Sequence, residues 1–222
     1  MLKRTTIHIF GLILIALGVA LIISQKKGVF PWDAAGLNLV DLFARINIHI
    51  EVGIASLILN SLLGVICIAV TKNFKYLYSY INIAIFSLAL GLINWALGLI
   101  NWPVSDQITV LNVVMLFSGL LTIAIGTNFV VFSKLVPSPA EAAMLIIHEK
   151  WFPKSIGLSK VALEIMFFLV AITFGAINGN VMSNISWFTF IAVAILSPMI
   201  QITHKPIKLL FGGMKNESNE IK

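Results

Sequence analysis

The chain has 222 residues, of which 59% are hydrophobic and 11% charged, with a formal net charge of +6. A soluble domain carries roughly 25% charged residues, so too few are present to cover a water-facing surface. The apolar residues fall in continuous runs of about 20, the length of a helix crossing a hydrocarbon core, which excludes the alternating pattern of a membrane β-barrel.

"MLKR" and the run after it have the charge pattern of a signal peptide. The run is too long for a signal core and ends in "IISQKK" with no small-x-small cleavage site, so it reads as a retained first span over about 5–25. The next segment, "GVFPWDAAGL" (28–37), predicts a short helix over roughly 31–45. Spans at about 48–71 and 77–101 follow, separated by "TKNFK", and "NWPVSDQ" leads to a fourth at about 108–132. "VPSPAEAAML" (136–145) predicts a second short helix over roughly 139–149. Spans at about 160–178 and 185–203 flank "NGNVMSN", giving one membrane domain over 1–204 and a basic, then polar, tail over 205–222.

Both short helices begin with a proline, which suits the first helical position because its missing N–H has no partner there anyway. Ser138 and Glu141 have capping-box spacing. Asp33 and Glu141 each face the positive end of a helix dipole, a contribution of about 0.3–1 kcal/mol. At about 100° per residue, Asp33, Asn38, Asp41 and Arg45 share one side of the first short helix. Trp32, Ala35, Leu39, Leu42, Phe43 and Ile46 share the other. Two arrangements fit: a helix lying in the membrane interface, or a re-entrant helix whose N-terminus and acid point into a cavity. The amphipathic pattern favours the first.

The two segments are one motif written twice. Sliding the chain by 108 residues aligns 12–39 with 120–147 without a gap, at nine identities in 28. Lys26 meets Lys134, Pro31 meets Pro139, and Asp33 meets Glu141. The repeats, about 1–104 and 105–204, then hold three spans each, and an odd number inverts the second copy. The predicted fold is therefore all-α and polytopic, with six transmembrane helices arranged as two inverted three-helix repeats. Each repeat has a short Pro-x-acid helix after its first span. Transporters commonly use such inverted repeats and bind their substrate where the repeats meet.

Positive charge sets the orientation. Of the 15 lysines and arginines, only Lys26, Lys27 and Arg45 fall on the side opposite the N-terminus. Both termini are therefore expected in the cytoplasm, and the basic excess is assigned to anionic lipid rather than nucleic acid. Trp102 and Trp187 fall at outer span ends, and Tyr76, Tyr78 and Tyr80 at the inner start of the third span, as interfacial anchors do. One cysteine, Cys67, lies within an apolar run, so no intramolecular disulfide forms.

"ALGVALIISQKKGVFPWDAAGLNL", "PSPAEAAMLI" and "FIAVAILSPMIQ" resemble the YczE/YyaS/YitT-like bacterial integral membrane proteins. That family has a Gly-x-x-Pro-Trp-Asp motif after the first span, a Gly-Pro-Arg-Asp-like motif after the fourth, and a Gly-Pro-x-x-Gln-like motif in the last. By position the resemblance implies motif roles for Gly28, Pro31, Trp32 and Asp33, for Pro139 and Glu141, and for Pro198 and Gln201. Ser138, Ala140, Glu141 and Ser197 depart from the pattern; Ala140 stands where the family has arginine. The family has no assigned activity, so the resemblance implies a bacterial plasma-membrane protein and an architecture rather than a reaction.

An ionisable group inside a span costs about 2.5–3.5 kcal/mol on insertion scales. Glu164 is the main suspect, although Lys160 one turn earlier offers a partner. Glu51 and His49 read as interfacial, and His148 shares a helix face with Glu141. Asn60, Asn94, Asn128 and Gln201 read mainly as interhelical hydrogen-bonding groups. No metalloprotease, nucleophile-elbow or phosphate-loop signature is present, so neither an enzyme nor a cofactor or metal is expected. The expectation is a small-molecule transporter or exporter in a lipid bilayer, with protons as a candidate coupling ion. Its candidate substrate-binding residues are Pro31, Trp32, Asp33, Pro139, Glu141, Glu164 and Gln201. The alternative is a non-transporting scaffold or regulatory partner.

Overall fold

The computed structural model describes residues 2–100, 108–136, 138–154 and 156–211, and there it contains helices and no strands. The helices are α1 (Leu2–Ser24), α2 (Pro31–Arg45), α3 (Val52–Thr71), α4 (Ser79–Gly98), α5 (Val110–Ser133), α6 (Pro139–Lys150), α7 (Ile156–Ile177) and α8 (Trp187–Phe211). A 3₁₀ turn, Phe74–Tyr78, leads into α4. Six helices, all but α2 and α6, are long and apolar enough to cross a membrane. Large apolar side chains such as Leu62, Leu92, Ile165, Phe190 and Ile202 cover the outside, as a lipid-facing surface requires. The chain is a multi-pass membrane protein. Trp102 lies outside the described residues.

α1 and α5 cross antiparallel at the centre. A Cβ on Gly18 would lie 2.5 Å from Gly119 O, and one on Gly11 would lie 2.8 Å from Gly126 O. Lipid tails are as apolar as leucine, so helices in a bilayer gain from close van der Waals packing, and glycine is what lets backbones touch. Gly11 and Gly119 are 108 residues apart, as are Gly18 and Gly126. Each member of one pair thus meets the counterpart of the other. The same interval separates the left-handed residues Lys26 (φ 52°) and Lys134 (φ 54°), the helix starts Pro31 and Pro139, and the helix starts Ser79 and Trp187.

The short helices are packed within the protein, which corrects the interfacial expectation for α2. α2 lies parallel to the second half of α7. Asn38, on the side read as polar, is fully buried, with its Nδ2 donating to Ala171 O at 2.8 Å. Asn178 and Asn184 donate to the Asn38 carbonyl (2.7 Å) and Oδ1 (2.8 Å). Arg45 ends α2 and donates to the carbonyls of Ile177 and Asn178 at the close of α7, where a cation complements the dipole. Asn38 therefore finds all its partners within the protein. α6 packs comparably on α3, with Cys67 beside the Pro139 carbonyl and the Lys150 ammonium near Val70 O.

Candidate functional site

α2 begins level with the middle of α7 and α3, and α6 begins beside Cys67 in the second half of α3. The Trp32 ring lies 4.2 Å from that of Phe167, centroid to centroid, and its Nε1 donates to Asn60 Oδ1 at 3.2 Å. Asn60 in turn donates to Ser56 O at 2.9 Å, which holds its amide in the accepting orientation. From these starts the two helices run to opposite ends of the molecule, α2 towards Ile177 and α6 towards Val70. Each is a half-length helix whose positive end is held inside the protein.

Both N-termini open into one cavity of about 240 Å³, to whose wall all eight helices contribute. Trp32, Asp33, Pro139, Glu141 and Glu164 line it together, so five of the seven expected site residues meet here. Pro31 is buried behind them and borders a neighbouring cleft. Gln201 is exposed on α8 and borders neither space. His148 faces Ser159 of α7 at 3.5 Å rather than the cavity. Around the acids the wall is apolar and aromatic, with Phe30, Phe86 and Phe167 prominent.

The three acids differ in how they are held. Glu141 is committed to its own helix: Oε2 accepts from Ser138 N at 3.0 Å, and Ser138 Oγ accepts from Glu141 N at 3.4 Å. Glu164 pairs with Lys160 one turn earlier on α7, at 3.2 Å. Asp33 occupies the position in α2 that Glu141 occupies in α6, yet the N-cap of α2, Phe30, has no side-chain cap. Among the described residues no hydrogen bond or ion pair engages the Asp33 carboxyl. Burial, with the negative charge of Glu164 adding to it, pushes that carboxyl up to about 7, because both disfavour its ionised form. Asp33 is thus the one acid of the three available to a proton, a cation or a basic substrate group.

Further polar contacts bridge helices around this cavity, and those of His8, Asn82, Gln25 and Asn112 are not singled out by the sequence. Buried His8 of α1 lies 2.9 Å from Asn82 Oδ1 and 2.8 Å from Ser133 Oγ. Because Asn82 Nδ2 donates to Val136 O, its Oδ1 accepts from His8, which puts a proton on the ring Nε2. Asn82 is itself a cavity-lining residue. Asn112 donates to Gln25 Oε1 at 3.0 Å, joining the far ends of α1 and α5. Asn128 donates to Ile200 O and Thr203 Oγ1 of α8, the interhelical role read for it. The available signal was a polar residue inside an apolar run, which marks a partner without naming it.

Residues 2–205 match the model of a family described as a family of unknown function, DUF6198. No curated protein and no solved structure matches the chain.

Proposed function

We propose that this chain, which belongs to the DUF6198 family of unknown function, is a transporter or exporter that passes a small molecule through the acidic cavity between α2 and α6. In this reading the chain is two inverted three-helix halves, 108 residues apart, with both termini in the cytoplasm of a bacterium. The reciprocal contacts Gly11–Gly126 and Gly18–Gly119 support the two-fold relation between the halves. Trp32 and Asp33, of the Pro31-Trp32-Asp33 segment that resembles the YczE/YyaS/YitT-like motif, then line the site itself.

The observation that carries the reading is the convergence of two half-length helices, from distant parts of the chain, on one cavity. An unpaired acid inside a membrane protein is costly. Transporters of inverted-repeat architecture use interrupted helices in this way, to bring dipole ends and backbone groups to a substrate near mid-membrane. A scaffold has no use for an unengaged carboxyl facing an interior cavity. Asp33, its carboxyl raised to about 7 by burial, supplies a group able to take up and release a proton near neutral pH, while Glu141 and the Lys160–Glu164 pair keep the site polar.

The test is flux into proteoliposomes containing the purified protein, incubated with the small-molecule fraction of a bacterial extract and read by mass spectrometry. At least one solute should enter only protein-containing vesicles. No protein-dependent entry or exit of any solute, with the protein folded and correctly inserted, would return the chain to the scaffold reading.

A further inference from the structure

The seams that close the two halves are in different states. Between α3 and α4 the backbones touch: a Cβ on Gly53 would lie 2.5 Å from Ser87 O and 2.8 Å from Gly91 Cα. The Tyr80 hydroxyl, donating to Ser61 O at 2.9 Å, fastens the other end of the same seam. The 108-residue interval carries α3 onto α7 and α4 onto α8. There the helices stand apart around a cleft of about 670 Å³, walled by Val161 and Ile165 on α7 and by Val193 and Ser197 on α8. The Phe168 and Phe190 rings, 5.9 Å apart, meet beside it. Lys160 and Glu164 border both the cleft and the acidic cavity, so the cleft reaches the cavity wall.

The closed seam also holds a polar cost. Ser87 Oγ is buried with no hydrogen-bond partner among the described residues. A buried, unsatisfied hydroxyl costs on the order of 1–3 kcal/mol, and such groups call for a physical reason. A seam that opens during function supplies one, because the hydroxyl is then solvated or free to bond.

We infer that the α7–α8 seam is an open gate to the acidic cavity and the α3–α4 seam its closed counterpart, the two exchanging states in a second conformation. The inference rests on the transport reading above, whose two-fold relation makes the seams equivalent. In the second conformation α7 and α8 close while Gly53 and Gly91 separate. The cavity then opens on the other half of the molecule and at the opposite end, because the halves are inverted.

The experiment uses the full chain with Cys67→Ala, spin-labelled at Val161→Cys and Ser197→Cys on the two walls of the cleft, in liposomes. Pulsed electron–electron distances should show two populations, the shorter belonging to the closed cleft. Gly53→Ala should increase the shorter population at least about threefold, because its methyl group meets backbone at 2.5 Å. Gly91→Ala is the matched control, since its Cβ would lie 3.6 Å from Gly53 Cα, an ordinary contact, and it should leave the populations unchanged. A single long distance in the parent overturns the inference, whether or not Gly53→Ala folds. Equal distributions in the parent and a folded Gly53→Ala also overturn it. Protein-dependent flux with one rigid distance would retire the gates and leave the transport reading intact. Two exchanging distances without flux would do the reverse.

Discussion

Asp33 and Glu141 hold the same position in two helices that open into one cavity, but only Glu141 is bonded to the N-cap of its own helix. Their substitutions should therefore separate. Glu141→Ala removes half of a capping box and should cost about 1 kcal/mol, within the range of capping interactions. Asp33→Asn removes no cap and keeps the shape, so it should leave folding unharmed. Thermal unfolding of the two purified variants in one detergent checks this. Equal losses in both would show that Asp33 is also a structural acid.

The elevated Asp33 carboxyl has a pH consequence. Asp33 belongs to the short helix α2 and to none of the six spans. Its carboxyl has an ordinary value of 3.8 and is raised to about 7 in the folded chain. Between those values the folded protein binds more protons than the unfolded one, so stability falls as pH rises. The stabilisation is complete below about pH 4 and lost on passing about pH 7. The parent should melt at least about 3 °C lower at pH 8 than at pH 5, equivalent to roughly 1 kcal/mol for a chain of this size. Asp33→Asn should remove most of that difference, and a difference that persists in the variant would assign it to other groups.

The central crossing has almost no tolerance for added volume. Gly18→Val would drive a side chain into Gly119 O and Ile123 and should prevent assembly or cost at least about 2 kcal/mol, the upper range for forced overpacking. Gly98 on α4 has nothing within 4 Å, so Gly98→Ala should be neutral or slightly stabilising. Monodispersity after detergent extraction, with melting temperature, distinguishes the two. A well-behaved Gly18→Val protein would contradict the close α1–α5 crossing.

Asn38 ties α2 to α7 and to the segment after it through three hydrogen bonds. Asn38→Ala would remove the bonds to Asn184 Nδ2 and Ala171 O, at a cost of about 0.5–1.5 kcal/mol for each. Hydrogen exchange at the backbone of α2 should accelerate more than at α3 or α5. Uniform acceleration throughout the chain would mean that α2 is not a separable unit.

The elements legible in the sequence are those encoded locally. Pro31 and Pro139 start their helices, Ser138 and Glu141 form the box that their spacing dictates, and Lys160 reaches Glu164 across one turn. The six runs became six helices because length and hydropathy are properties of the run itself. What stayed hidden depends on distant partners. The polar side of α2 suggested an interface with water, yet its Asn38 is answered by Ala171, Asn178 and Asn184, more than 130 residues away. Gly53 and Gly91 likewise show their role only once α3 lies on α4. Gln201 carries a motif position but faces outward.

If the cavity conducts transport as proposed, Asp33 is its working acid. The measurement is solute flux in proteoliposomes containing the parent or Asp33→Asn, reconstituted to equal density and verified as folded, with a bacterial small-molecule extract as the source. The parent should move at least one solute that protein-free vesicles do not, and Asp33→Asn should lower that rate at least about tenfold, a loss of about 1.4 kcal/mol in barrier terms. Flux through Asp33→Asn equal to that of the parent, for every solute that moves, would contradict the account.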